Sequence, residues 1–257
     1  MRPAQILLVG FLAVLLVTLS APARSGAPPT DEALFIAIDQ GSSARVLTLL
    51  DSGANPNARD DRGEPALIYA LHTGKPAIAE ILAHAKGIDL EAENHYGQTA
   101  LMVAAYQGRL DLVNELIDDD AEVNHKGWTA LHFAASSGQV DVVRVLLDHA
   151  AYIDAESPSR TTPLMMAARV KDRPTCVLLL QEGADPTPIN AVGLSAADFA
   201  RRAGDTELGD WLDENAKNWR TAHPVHGAEP AAAASPPASP PTATPSPPPP
   251  TSALPPS

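Results

Sequence analysis

The sequence predicts an all-α solenoid of stacked helical repeats, and three observations carry that prediction. A ladder of anchors recurs at Leu34, Leu67, Leu101, Leu131, Leu164 and Ala197, in steps of 33, 34, 30, 33 and 33 residues. A small residue follows each anchor by three, from Ala37 through Ala70, Ala104, Ala134 and Ala167 to Ala200. An apolar doublet comes some fifteen residues after the anchor, as in Leu49-Leu50, Leu116-Ile117, Leu146-Leu147 and Leu179-Leu180. Independent domains have no reason to keep such register. Stacked units do, because each buries its apolar face only against its neighbours.

The stretch from Gly127 to Ala151 shows one unit most clearly. Thr129 is placed to cap a helix, and Leu131, Phe133, Ala134 and Ala135 fall on one side of a short helix closed by Gly138. A second helix is predicted over Val140 to Asp148, with Val142, Val143, Leu146 and Leu147 at helical spacing. Neither helix is long enough to be stable alone, since isolated helices under about 12–15 residues are marginal in water. The alanines let the two helices approach closely and form a thin layer. Turn residues close each layer, as in Gly53-Ala54-Asn55-Pro56-Asn57 and Gly183-Ala184-Asp185-Pro186, and Asp60-Asp61-Arg62-Gly63 is placed as a hairpin tip.

Gly127-Trp128-Thr129-Ala130-Leu131-His132, with partial copies in Gly97-Gln98-Thr99-Ala100-Leu101 and Thr162-Pro163-Leu164, resembles the ankyrin-repeat signature. The resemblance implies helix-turn-helix layers with hairpin fingers at right angles. It also implies binding rather than catalysis, and gives His132 a structural role bridging neighbouring repeats. It divides residues 30–217 into six units, at about 30–60, 61–94, 95–124, 125–157, 158–190 and 191–217. The first and last are caps. Asp31, Glu32 and Asp39 are expected on the outer side of the first, and Ala197 replaces the anchor leucine in the last.

Departures from the pattern are informative. The short step to Leu131 loses three residues between Asn124 and Gly127, which predicts a truncated finger. The glycine ending a unit is Gly53 or Gly183 at two positions but Lys86, Asp120 or Ala150 at the others, and Arg160 replaces a finger glycine. Left-handed backbone at a non-glycine costs roughly 1 kcal/mol. Units two to four are therefore expected to be the least ideal part of the stack.

The ends read differently. Arg2, the apolar run from Ile6 to Leu19, and Ala21-Pro22-Ala23 have the pattern of a secretory signal over residues 1–23. That apolar run spans only about 21 Å as a helix, short of the ~30 Å hydrocarbon core, so no stable membrane span is expected after cleavage. Residues 218–257 are rich in Pro, Ala and Ser and are expected to be a disordered tail. A secreted chain with the single cysteine Cys176 has no disulfide framework, which points to a bacterial periplasm. The arrangement is similar to bacterial periplasmic ankyrin proteins, some of which are linked to catalases and protection from peroxide. That likeness implies, as an alternative role, an accessory factor that stabilises or protects a periplasmic enzyme. An architectural envelope protein acting through its tail is a further alternative.

The net charge of −13 disfavours nucleic acid as a partner and favours basic ones. The sequence lacks Gly-x-Ser-x-Gly, His-Glu-x-x-His, a phosphate loop and Cys-x-x-Cys, so no enzymatic activity, cofactor or metal is predicted. In ankyrin stacks the finger tips and first-helix ends vary and line a concave surface. Transferred residue by residue, these positions make Tyr96, Tyr106 and Trp128 the centre of a protein-binding patch. His72, His125, Arg169, Arg62 and Gln107 lie around it, and Tyr and Trp are the usual anchors of interfaces.

Overall fold

A computed structural model of the chain describes residues 30–224. The predicted secretory signal and most of the proline-rich segment lie outside these residues. Six helix pairs follow in order: α1 (Asp31–Asp39) and α2 (Ser43–Asp51), α3 (Ala66–His72) and α4 (Pro76–Ala83), α5 (Ala100–Tyr106) and α6 (Leu110–Asp118), α7 (Ala130–Ser136) and α8 (Val140–Asp148), α9 (Pro163–Arg169) and α10 (Arg173–Gln181), α11 (Ala196–Arg202) and α12 (Thr206–Ala222). First helices pack on first helices and second on second, so the units stack in one direction. Among the described residues the one bridge between extended segments is Arg59 with Pro65, at the base of the first finger.

The anchors do what their spacing predicts. Leu34, Leu67, Leu101, Leu131 and Leu164 are all buried in one continuous core that runs the length of the stack. Ala104, Ala134 and Ala167 are fully buried and small, which lets neighbouring first helices come close. Residues before the first helices accept hydrogen bonds from free helix N–H groups. The Thr162 hydroxyl accepts from Met165 N–H, and Ser195 and Asp198 cap each other reciprocally.

Side chains also stitch each unit to the next. Asn57 donates to the Gly87 carbonyl and accepts from Asp89 N–H, each at 2.8 Å. Asn124 repeats the arrangement with the Ala150 carbonyl (2.9 Å) and Tyr152 N–H (2.7 Å), and Asp154 accepts from Asp185 N–H at 3.0 Å. Fingers are shaped by a second recurring device. Asp60, Asn94 and Asn190 each accept the backbone N–H groups two and four residues on. The shortened segment between Asn124 and Gly127 has no counterpart of that turn among the described residues.

Three expectations are corrected, and Lys171 adds a feature of its own. Lys86 is not left-handed: Gly87 takes that conformation (φ 80°) one residue later. Lys171 is left-handed (φ 60°) in the turn between α9 and α10, where the other units use glycine. Asp39 turns toward the second unit rather than outward, and accepts the Tyr69 hydroxyl at 2.7 Å. That bond, followed by burial, pushes the Tyr69 pKa up to about 12. Finally, α12 continues past 217 to Ala222, so the repeat domain extends beyond the expected start of the tail. Its buried Leu208, Gly209 and Leu212 lie against α11, and Asp210 and Asp213 hold Arg201 at 2.8 and 2.6 Å, giving the stack a polar end.

Candidate functional site

Register places the last residue of each first helix at one equivalent position per unit. These residues are Asp39, His72, Tyr106, Ser136, Arg169 and Arg202. The frame around them is nearly constant, yet the row changes from anion through neutral and aromatic groups to two cations. Four residues predicted for the site fall on or beside this row. His72 is exposed, with Nδ1 2.6 Å from a Glu64 carboxylate oxygen. Tyr106 is half-buried against the core and lies within electrostatic reach of the Arg169 guanidinium. Gln107 donates to the Leu71 carbonyl at 3.1 Å, which ties the third unit to the second. Arg169 is half-buried, its Nε is shut off from solvent without a hydrogen-bond partner, and burial lowers its pKa.

The other four lie on the fingers. Arg62 is at an exposed tip. Tyr96 is 53% exposed and its ring lies 3.7 Å from that of His95. His125 reaches back one finger, with Nε2 3.1 Å from Glu93 Oε1. Trp128 turns inward: its ring meets His132 edge-on at 5.2 Å and Phe133 at 6.4 Å. Trp128 thus covers the fourth unit, while Tyr96 stands on a tip and Tyr106 at a helix end.

His132 is fully buried beneath Trp128. Its Nδ1 accepts from Thr129 N–H at 3.2 Å and lies 2.9 Å from the Thr129 hydroxyl; its Nε2 donates to the Thr161 carbonyl of the next unit at 2.9 Å. Both ring nitrogens are committed with the ring neutral. Burial, opposed by the bond to Thr161, drives the pKa down to about 4. Gly127, Thr129 and Leu131 complete this unit, and Gly97, Thr99, Leu101 and Thr162, Pro163, Leu164 occupy the same places in the neighbouring units.

Residue-by-residue transfer missed Arg59, which donates to the Gly63 and Glu93 carbonyls, each at 2.7 Å, and so ties two fingers together. It also missed Lys171, two residues after Arg169, and Arg202, which ends the helix packed beside α9. Their signal was present in the sequence: a lysine where other units have glycine, and an arginine at the last position of a first helix.

A stack of helix pairs with a constant interior and varying helix ends is a binding scaffold. A family model described as "Ankyrin repeats (3 copies)" matches residues 34–127 and 120–190, and the chain belongs to the ankyrin-repeat family, whose repeats are protein–protein interaction modules. It is 36% identical over 58 residues to ankyrin repeat domain-containing protein 29 of Danio rerio, covering 23% of this chain and 20% of that protein. It is 30% identical over 89 residues to the photoreceptor ankyrin repeat protein of Homo sapiens (34% and 20%). With Rabankyrin-5 of Homo sapiens it shares 39% identity over 56 residues (22% and 5%). The chain thus spans a fifth or less of the length of these relatives. Among the described residues no helix is long and apolar enough to cross a membrane.

Proposed function

We propose that the chain is a non-enzymatic protein-interaction scaffold of the cell envelope, which takes its partner along the row of first-helix ends and the adjoining finger tips. The observation that supports this most is the contrast between frame and row. Equivalent positions at the ends of the first helices carry His72, Tyr106 and Arg169, while the anchors of the same helices remain leucine. The envelope location rests on residues 1–23 and on the single cysteine. A narrower form of the reading makes the partner a periplasmic enzyme of the catalase type.

Affinity capture from a periplasmic extract tests the proposal. The parent chain is compared with Tyr96→Ala and with Tyr106→Ala, each confirmed as folded by circular dichroism. Trp128 is a poor probe because its ring also covers His132. A partner retained by the parent and lost with Tyr106→Ala supports the concave row. Equal capture by all three sinks it. Truncation after Pro224 removes the proline-rich segment and leaves α12 whole. Capture that needs this segment would make the tail the working part.

A further inference from the structure

The C-terminal third of the concave row is cationic in a chain whose net charge is −13. Arg169 ends α9, Lys171 follows in the turn, and Arg202 ends α11, the helix packed beside α9. None of the three takes part in the ion pairs of the described residues, whereas Arg173 and Arg201 beside them are paired with Glu207 and with Asp210 and Asp213. The neighbouring carboxylates are already engaged. Asp172 accepts from Thr175 N–H, Asp205 from Leu208 N–H, and Asp198 from the Ser195 backbone and hydroxyl. Asp198 also feels the field of Arg202, though Ser195 is the main cause of its lowered pKa.

Two features set Arg169 and Lys171 apart from ordinary surface cations. Arg169 Nε is buried without an acceptor, and a half-desolvated cation is costly until something meets it. Lys171 adopts φ 60° at a turn where Gly41, Gly74, Gly108, Gly138 and Gly204 stand in the other units. A lysine there accepts backbone strain that glycine avoids, and such local departures mark functional positions.

We infer that this end of the concave row docks an acidic, extended peptide segment of a partner protein, with carboxylates meeting Arg169, Lys171 and Arg202. The inference rests on the scaffold reading above and names the chemistry of its partner. The spacing fits. Neighbouring packed helices lie about 8–10 Å apart, and an extended segment in the polyproline II conformation advances about 9 Å in three residues and returns to the same side. Acidic residues three apart therefore address Arg169 and Arg202 in turn. A nucleic acid fits less well, because its continuous phosphates would run beyond the patch onto acidic surface within a Debye length of about 10 Å.

The test is fluorescence anisotropy at low salt with the full-length chain and a fluorescein-labelled peptide carrying Glu at every third position among Ala and Gly. The same peptide with Gln for Glu, and a labelled oligothymidine of equal length, serve as comparisons. The Glu peptide is expected to bind at least about tenfold more tightly than the Gln peptide, and Arg169→Gln to weaken it by about tenfold, as for loss of one charge-assisted contact. Lys171→Gly is expected to weaken it about threefold while raising Tm by about 2 °C, because the strain is relieved. Lys217→Gln, an equal change of charge on α12, should leave affinity within about twofold. Equal binding of the Glu and Gln peptides, an equal effect of Lys217→Gln and Arg169→Gln, or tighter binding of the oligothymidine would each overturn the inference. The concave-face reading stands or falls separately, on capture by Tyr106→Ala.

Discussion

Lowering the pH from 7 to 5 sets His132 against its surroundings. In the unfolded chain the ring takes a proton near its ordinary pKa of 6.5, whereas in the folded chain it does so only near 4. Between those values the unfolded state binds more protons, so the stability due to the neutral buried ring is whole above 6.5 and is lost as pH falls toward 4. At 1.36 kcal/mol per unit, integration gives a loss of about 2 kcal/mol at pH 5 and about 3 kcal/mol at pH 4. The structural cause is specific. A proton on Nδ1 would face the donor Thr129 N–H inside a fully buried site, while Nε2 already holds the Thr161 carbonyl. The assay is urea unfolding followed by circular dichroism at pH 7 and pH 5, for the parent and for His132→Gln. The Gln variant will be less stable at both pH values, but it has no proton to take. Other shifted groups are shared by both proteins and cancel. Asp198 loses its contribution as pH falls, and Asp154, raised by burial, gains. The parent should lose about 2 kcal/mol more than the variant across this interval. Parallel losses would refute the assignment of the neutral, inter-unit histidine.

Three further outcomes follow from the same geometry. Ala150→Gly at φ 59° should stabilise the chain by about 0.5–1 kcal/mol, since relief of the left-handed penalty exceeds the entropic cost of glycine; thermal melting would show it as a rise of about 2 °C. Leu131→Ala, in the fully buried middle of the stack, should cost about 2–5 kcal/mol in a denaturant titration. Cys176 is buried, and desolvation pushes its pKa up to about 12. A thiol reagent at neutral pH should therefore modify it only after unfolding in guanidinium.

The fold was legible because the repeat is written in residues whose roles are local. The Leu34-to-Leu164 anchors, the alanines three residues on, and the capping Thr129 and Thr162 all act within one unit, and the period supplies the rest. The boundaries of α8 matched the predicted span because Gln139 and His149 bracket a strict apolar pattern. The helix α12 runs past residue 217 because nothing in Lys217 to Ala222 stops a helix before Pro224. The surface was less legible. Spacing put Tyr96, Tyr106 and Trp128 at variable positions, but could not show that Trp128 turns its ring toward His132 and Phe133. Which side chains meet across units, as Arg59 meets Glu93, depends on the stacking offset, and no single unit encodes that.

Backbone strain is distributed differently from the sequence expectation, and the difference bears on function. Lys86 had marked the second unit as non-ideal, but Gly87 frees it. Among the described residues the left-handed non-glycines are Asp120, Ala150, Arg160 and Lys171, in units three to five. At roughly 1 kcal/mol each, they make the middle and later units the costly part of the stack. Asp120 and Ala150 follow second helices, away from the row of first-helix ends, and no contact there explains them. Arg160 and Lys171 are different: one is a finger tip and the other borders Arg169, and each puts a cation where glycine would be easier. In an acidic chain, two strained cations on one unit are hard to ascribe to solubility, which acidic residues supply elsewhere. They make the fifth unit the one that carries charged side chains at two left-handed positions. Lys171→Gly and Arg160→Gly should separate, both stabilising the stack but only the first weakening the acidic peptide. Equal weakening by both would spread the docking surface from the helix ends onto the fingers.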